Sequence, residues 1–290
     1  MMKKFFSVAE CVFAVEFEEK HPFGEHLGNY FPFECEAGET IFTLGFDDNL
    51  RRPESIKPLL VGVAEPQEPK VDLYECEKGW WLEFAPLANW PSVAGLIVPS
   101  DGSKAFLNVY DGRYERFAID NALMILYAFK TCDKGVLEMH SSVVEYKGKG
   151  YMFLGVSGTG KSTHSRMWLE TFPEASLLND DNPAIRLIDG RAFVFGTPWS
   201  GKTPCYKARR VPVGAIVRIR RAPFNKVTQL PMPEAYADIY SSSSGFKADE
   251  AMADALHETI ADVVSSVGCY VLDCLPDHDA AIVCNKNVIK

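Results

Sequence analysis

Between Gly155 and Ser162 the chain reads GVSGTGKS, which satisfies the pattern G-x-x-x-x-G-K-[ST] in full. The apolar run YMFL enters this loop and the amphipathic stretch STHSRMWLE leaves it. These residue types suit one task, the holding of a polyphosphate. Gly155, Gly158 and Gly160 let the backbone curl so that successive N–H groups face inward. A helix beginning near Lys161 adds the positive end of its dipole. The Lys161 ammonium can reach β- and γ-phosphates, and the Ser162 hydroxyl can take a place on Mg²⁺. Ser157, Thr159 and Thr163 complete the expected phosphate-binding set.

Such a loop needs an acid at the end of a neighbouring strand to anchor the metal. SLLNDDNPAIRL supplies Asp180 and Asp181, the first of them nineteen residues beyond Lys161. Two adjacent carboxylates after an apolar strand are costly unless a cation or a proton compensates them. One would approach Mg²⁺ and the other would take a proton from an attacking hydroxyl. The sequence leaves the order open; the reading favours Asp180 as base and Asp181, with Ser162, as metal ligand. Farther on, FGTPWSGKTPCY forms a turn-rich segment in which Lys202 can bring a second cation to the phosphates. Trp199 either closes over the ligand or anchors the turn from beneath.

Strands and helices must position these groups. From Arg116 onward helix-like and strand-like stretches alternate. FAIDNALMILYAF reads as a buried helix, GVLEMHSSVVEYK as a strand, KGKG as a tight turn, and DG at Asp189–Gly190 as a second hairpin turn. The first hundred residues instead read as short strands rich in Phe, Val, Tyr and Trp, with RRPESIKP and AEPQEPK as loops. The expected fold is α/β with α+β character: a mixed sheet with the phosphate loop and flanking helices, preceded by a small β-rich unit. The expected division is 1–112 and 113–290.

Bulk properties narrow the function classes. Hydrophobic residues make up 47% and charged residues 24% of 290, an ordinary globular balance. Residues 1–100 carry 17 acidic and 8 basic side chains, against 39 and 30 in the whole sequence. An acidic first third argues against nucleic acid or anionic membrane as a partner. The opening MMKKFFSVAECVFAVEFEEK mimics a signal peptide, but Glu10 interrupts its apolar run and a strand is the better reading. Eight cysteines without a CxxC pair read as reduced thiols, and the expected location is the cytoplasm.

HSSVVEYKGKGYMFLGVSGTGKSTHSRMW, followed by LLNDDNPAI, resembles the catalytic core of HPr kinase/phosphorylase and, more broadly, the phosphoenolpyruvate carboxykinase-like group of P-loop proteins. The resemblance spans roughly residues 136–190. It implies ATP and Mg²⁺ as cofactors, a phosphoryl transfer to a hydroxyl, and His140 as a fourth catalytic residue beside Lys161, Asp180 and Asp181. The glutamate- and glycine-rich segment tied to the phosphorylase reaction is absent, and GTPWSG resembles the loop of small kinases in this group. His164 has no such support and reads as a core residue.

The resulting expectation is an ATP-dependent kinase acting on a serine of a peptide or protein, or on a small molecule. GTP and pyrophosphate stay open as alternatives to ATP, because no N-K-x-D signature reads guanine. Two rivals stand beside it: a nucleotide-binding regulatory module without turnover, and a slow hydrolase. A homo-oligomer is compatible with the sequence, which leaves the acceptor and the role of residues 1–112 open.

Overall fold

The alternating start of the chain folds into a hairpin, β1 (Met2–Val8) against β2 (Cys11–Phe17), in register from Met2↔Phe17 to Val8↔Cys11. Glu10, the residue that interrupts the apolar run, lies in the two-residue turn. Ala9 and Glu10 take φ of 46° and 64° there, the left-handed pair that matches the twist of the flanking strands. The computed structural model describes all residues except 63, 65–67, 103, 202, 246, 248 and 290. The chain divides into two units, Met1–Lys130 and Thr131–Lys290.

The first unit continues with β3 (Thr43–Phe46), β4 (Ile56–Leu60), β5 (Lys70–Cys76), β6 (Gly79–Ala85), β7 (Ala94–Pro99) and β8 (Ala105–Val109). They form one sheet in the order β1-β2-β3-β8-β7-β6-β5-β4. The end of RRPESIKP, expected as loop, is the start of β4; Pro58 is tolerated because β4 is the sheet's edge. Helix α1 (Glu115–Thr131) follows, burying Ile119, Leu123, Leu126 and Tyr127. The Tyr127 hydroxyl donates to the Val8 carbonyl at 3.0 Å, and its ring meets Phe13 edge-on. This packing places the helix with the first unit, so the division falls after Lys130 and not after residue 112.

The second unit opens with β9 (Val136–Met139), β10 (Ser141–Tyr146) and β11 (Lys149–Leu154), then α2 (Lys161–Thr171) and β12 (Ser176–Asp181). β13 (Ala184–Ile188), β14 (Arg191–Phe195), β15 (Arg210–Arg221) and β16 (Lys226–Gln229) come next. The chain continues through α3 (Met232–Ser242), β17 (Ser243–Ser244), α4 (Glu250–Ser266), β18 (Cys269–Cys274) and α5 (His278–Val288). The sheet order is β12-β10-β11-β15-β14-β13-β9-β17, with β18 and β16 branching from β15. β15 runs parallel to β11 and β18 and antiparallel to β14, so the sheet is mixed.

The stretch GVLEMHSSVVEYK is not one strand. β9 pairs with β13 and β17, β10 pairs with β11 and β12, and His140 stands at the break between them. Side chains alternate across the sheet although β11 is buried on both faces. Met152 and Leu154 pack toward Ile239 of α3 and Leu256 and Ile260 of α4. Tyr151 and Phe153 pack toward Trp168 of α2 and Cys284 of α5. The result is a helix–sheet–helix sandwich with the loop after β11 at its rim. Among the described residues no helix is long and apolar enough to cross a membrane. The eight cysteines form no disulfide among those residues, and six of them are buried.

Candidate active site

β11 ends at Leu154, and the chain turns through residues 155–160 into α2. Gly158 and Gly160 take φ of 73° and 120°, conformations that a side chain would strain, so the turn needs glycine there. Thr159 closes the turn by donating from N and Oγ1 to the Val156 carbonyl, at 3.1 and 2.7 Å. Ser157 and Ser162 are exposed at the loop, and Thr163 is half-buried in the first turn of α2. The loop thus offers amide donors at a helix N-terminus, an arrangement suited to an anion.

Lys161 is buried, and its ammonium donates to the Gly155 carbonyl at 2.8 Å and to His140 Nε2 at 2.9 Å. An ammonium can only donate, so Nε2 accepts and the ring proton of a neutral His140 sits on Nδ1. His140 Nδ1 in turn lies 3.1 Å from Asp181 Oδ1. Carboxylate, imidazole and ammonium thereby form one line. Asp181 takes a φ of 144°, a strained value for a residue with a side chain, and Asn182 Nδ2 donates to its other oxygen at 3.1 Å.

Asp180 makes a separate pair: it is 3% exposed and accepts from Ser162 Oγ at 3.0 Å. The expectation joined Ser162 to Asp181; the structure joins it to Asp180 and turns Asp181 to His140. The reason is the strand itself. Successive residues of β12 point to opposite faces, so adjacent aspartates cannot both face the loop.

Fit to Mg²⁺ can be judged from the donors present. Ser162 Oγ and Asp180 Oδ1 are hard oxygen ligands side by side. Among the described residues no cluster of three or more His, Cys, Asp or Glu side chains could hold a metal on its own. That suits Mg²⁺, which commonly binds through one or two protein ligands together with phosphate oxygens and water.

The GTPWSG segment braces the aspartates. Asn179, fully buried, donates to Thr197 Oγ1 at 3.1 Å and to the Trp199 carbonyl at 3.2 Å, and accepts from Asn182 N at 3.1 Å. Gly201 N donates to the Asp180 carbonyl at 2.5 Å. A side chain at Gly201 would bring a Cβ within 3.0 Å of that same oxygen. Trp199 is 4% exposed, so it anchors the turn from beneath. Lys202 lies outside the described residues.

Four further features bear on the site, and all but His164, read from sequence as a core residue, escaped the sequence reading. Arg221, at the end of β15, donates from its guanidinium to the carbonyls of Gly158 and Thr159, the latter at 3.3 Å. Strand alternation in VRIRR was the available signal: it puts Arg221 on the α2 face with Val217 and Ile219. Arg209, just before β15, pairs with Glu145 at 2.6 Å, and Arg210 covers the Phe193 and Phe195 rings. Glu138, 1% exposed, has no hydrogen-bond partner for either oxygen among the described residues. Burial, reinforced by the charge of Asp181, pushes its carboxyl well above the usual range.

The third is His164, 3% exposed, whose Nε2 accepts from Trp168 Nε1 at 3.0 Å while Nδ1 has no partner among the described residues. The fourth is a cleft of about 370 Å³ beside the loop, which His164 lines together with Gly160, Thr163, Met167, Arg221 and Leu275.

No family model matches this chain, and no curated protein matches it. Among solved structures, the Hpr(Ser) kinase/phosphatase from Coxiella burnetii aligns over 51% of this chain and 91% of its own, with 9% identity and a TM-score of 0.29. A likeness at that level carries no argument, and the functional reading rests on the residues.

Proposed function

We propose that the Thr131–Lys290 unit binds a nucleoside triphosphate, ATP in the first instance, and transfers its terminal phosphoryl group to a hydroxyl of a peptide, protein or small molecule. The observation that carries this reading is the line Asp181–His140–Lys161, set beside the Ser162–Asp180 pair at the start of α2. A loop that only bound phosphate would need no carboxylate–imidazole pair aimed at its own lysine.

The loop amides and the α2 N-terminus receive the phosphates. Ser162 and Asp180 would hold Mg²⁺, which when bound supplies charge neutralisation on the phosphate oxygens. In this reading Asp180 serves the metal and Asp181 orients the base, His140, whereas the order favoured from sequence put Asp181 on the metal and made Asp180 the base. Lys161 follows the negative charge of the phosphates and leaves His140. That frees Nε2 to take the proton of the acceptor hydroxyl as its oxygen bonds to phosphorus and the bond to the diphosphate breaks. Asp181, accepting from Nδ1, stabilises the imidazolium formed.

The test uses the full chain with Mg²⁺ and ATP labelled in the γ-phosphate, offered a serine- and threonine-bearing peptide library and a panel of small alcohols. The expected result is label in an acceptor, matched by ADP. Label appearing only as free phosphate, at a rate no acceptor changes, would replace transfer by hydrolysis. No consumption of nucleotide with any acceptor would overturn the catalytic reading.

A further inference from the structure

Strand β15 sends its last arginines to both faces of the sheet. Arg221 clamps the phosphate loop on the α2 side, whereas Arg218 and Arg220 continue the face on which Ile216 joins the α3 and α4 core. There they wall a second cleft, of about 490 Å³, between the sheet and α3. The register sets Arg220 beside Asp273 of β18, and Asp273 beside Lys226 of β16, so the sheet wall holds three cations and one carboxylate. The facing wall of α3 holds Glu234 and Asp238, one helical turn apart. Arg218 spans the two walls: its Nε lies 2.6 Å from Asp238 Oδ1, and Nη2 donates to Ser241 Oγ at 3.0 Å. Lys226 and Glu234 make no ion pair among the described residues. Carboxylates at i and i+4 repel each other, and burial raises the pKa of Asp238 although Arg218 opposes the rise. The walls are thus opposite in sign, and each keeps an uncompensated charge.

The cleft lies at the same edge of the sheet as the phosphate loop, outside the carboxyl ends of parallel β11, β15 and β18. Arg218 is in register with Leu154, the last residue of β11, and Leu154 with Ser141, the neighbour of His140. The end of α3 serves both places, since the Ser242 carbonyl accepts from His140 N at 2.7 Å while Ser241 holds Arg218. Two strand spacings, about 10 Å, separate Arg218 from Ser141. A compact alcohol does not fill the cleft and reach His140 at once, whereas about three residues of extended chain span that gap. Arg220 lies two residues farther out. We propose that this cleft docks the phosphoryl acceptor, a peptide or protein segment with a basic and an acidic side chain three to five positions from its hydroxyl residue. The basic group meets Glu234 and Asp238, and the acidic group meets Lys226 and Arg220. This rests on the transfer reading above and chooses among its acceptors.

The test offers the full chain, with Mg²⁺ and γ-labelled ATP, peptides that each hold one serine in an alanine–glycine scaffold. One set carries a Lys–Glu pair three to five positions before or after the serine. A second replaces the pair with glutamines, a third moves it about ten positions away, and small alcohols complete the panel. The expected result is a kcat/KM about fivefold to tenfold higher for the first set, the scale of two partly exposed ion pairs. Glu234→Lys should cancel the preference for the peptide's lysine and favour a glutamate in its place; a loss that no peptide rescues would mark a structural role and overturn the proposal. Equal kcat/KM for all three sets would overturn it while transfer stands, as would labelling of small alcohols alone. Label found only as free phosphate, or no consumption of nucleotide, would refute the transfer reading and this inference with it. The peptide series uses unaltered protein, so it decides even if Glu234→Lys fails to fold.

Discussion

Each unit of this chain draws a carboxyl away from water, one partly and one wholly, and the two are treated differently. In the first unit Asp120 accepts from the Tyr30 hydroxyl at 2.7 Å and from Asn29 at 3.2 Å, with Arg116 at 3.6 Å. Burial raises its pKa, and those three partners oppose the rise. In the second unit Glu138 is more deeply buried, faces Asp181 and has no partner among the described residues. The His164 Nδ1 and the strained Asp181 backbone belong to the same unit. The first unit satisfies its half-buried acid internally. The second keeps an unpartnered donor at His164, a carboxyl whose pKa burial raises, and backbone strain at Asp181. Unresolved local cost of that kind marks a site in which positioning outweighs stability.

The contrast can be broken most forcefully at Lys161. Lys161→Ala should reduce phosphoryl transfer by about 10²- to 10³-fold or more, since it removes a donor aimed at the developing charge. Its melting temperature should stay near that of wild type. Matched losses of activity and folding would make Lys161 a structural residue like Asp120.

Next come the two aspartates. Asp180→Asn should raise the Mg²⁺ concentration needed for half-maximal activity, because one of two hard oxygen ligands is weakened. Asp181→Asn should leave that midpoint in place and alter the pH–rate profile, since the imidazole loses its orienting carboxylate. Activity measured across Mg²⁺ and across pH separates them, and identical behaviour would erase the division of labour.

Asp120 and Glu138 sharpen the comparison further. Asp120→Ala removes an acceptor from the Tyr30 hydroxyl and from the Asn29 amide and should cost about 1–3 kcal/mol in urea denaturation. Glu138 has a folded-state pKa above its unfolded value. Its contribution is therefore fully present below about pH 4.5 and is lost as pH rises toward the folded pKa. Glu138→Gln should then match wild type near pH 4 and unfold at a higher temperature than wild type at alkaline pH. A constant offset at every pH would mean that Glu138 is not protonated in the fold.

The smallest effect belongs to the β1–β2 turn. Glu10→Gly should change stability by only about 0.5 kcal/mol, in the stabilising direction, because Glu10 already occupies the left-handed region.

Much of this could be read from residues in a row. The loop at 155–162, the Asp pair, and the turn at Asp189–Gly190, where φ is 50° and 72°, are encoded by local residue types. Helix α1 was evident from its length and apolarity. The break at His140 was not, because β9 and β10 are buried almost throughout and supply no polar alternation to mark a change of partners. Nor was β4, whose proline fits only an edge, and edges are a property of the whole sheet. The assignment of Asp180 and Asp181 to opposite neighbours was within reach, since alternation along β12 requires it. Which neighbour each would meet depended on the placement of His140, a tertiary fact. The donor on His164 needed Trp168 one helical turn away to define its tautomer.

One strand also sets the order in which the site can be built. β15 lies against β11 on one edge and against β14 and β18 on the other, and Arg221 at its end clamps the loop. Apart from β11, that support is encoded after the loop itself, from Arg191 to Cys274. During synthesis the phosphate-binding motif therefore leaves the ribosome well before the strand that supports it. A nascent chain halted between the two carries the motif but not its clamp. On the proposed function, nucleotide then acts on the folding of this unit only late, as a ligand that seals an assembled sheet rather than one that templates it.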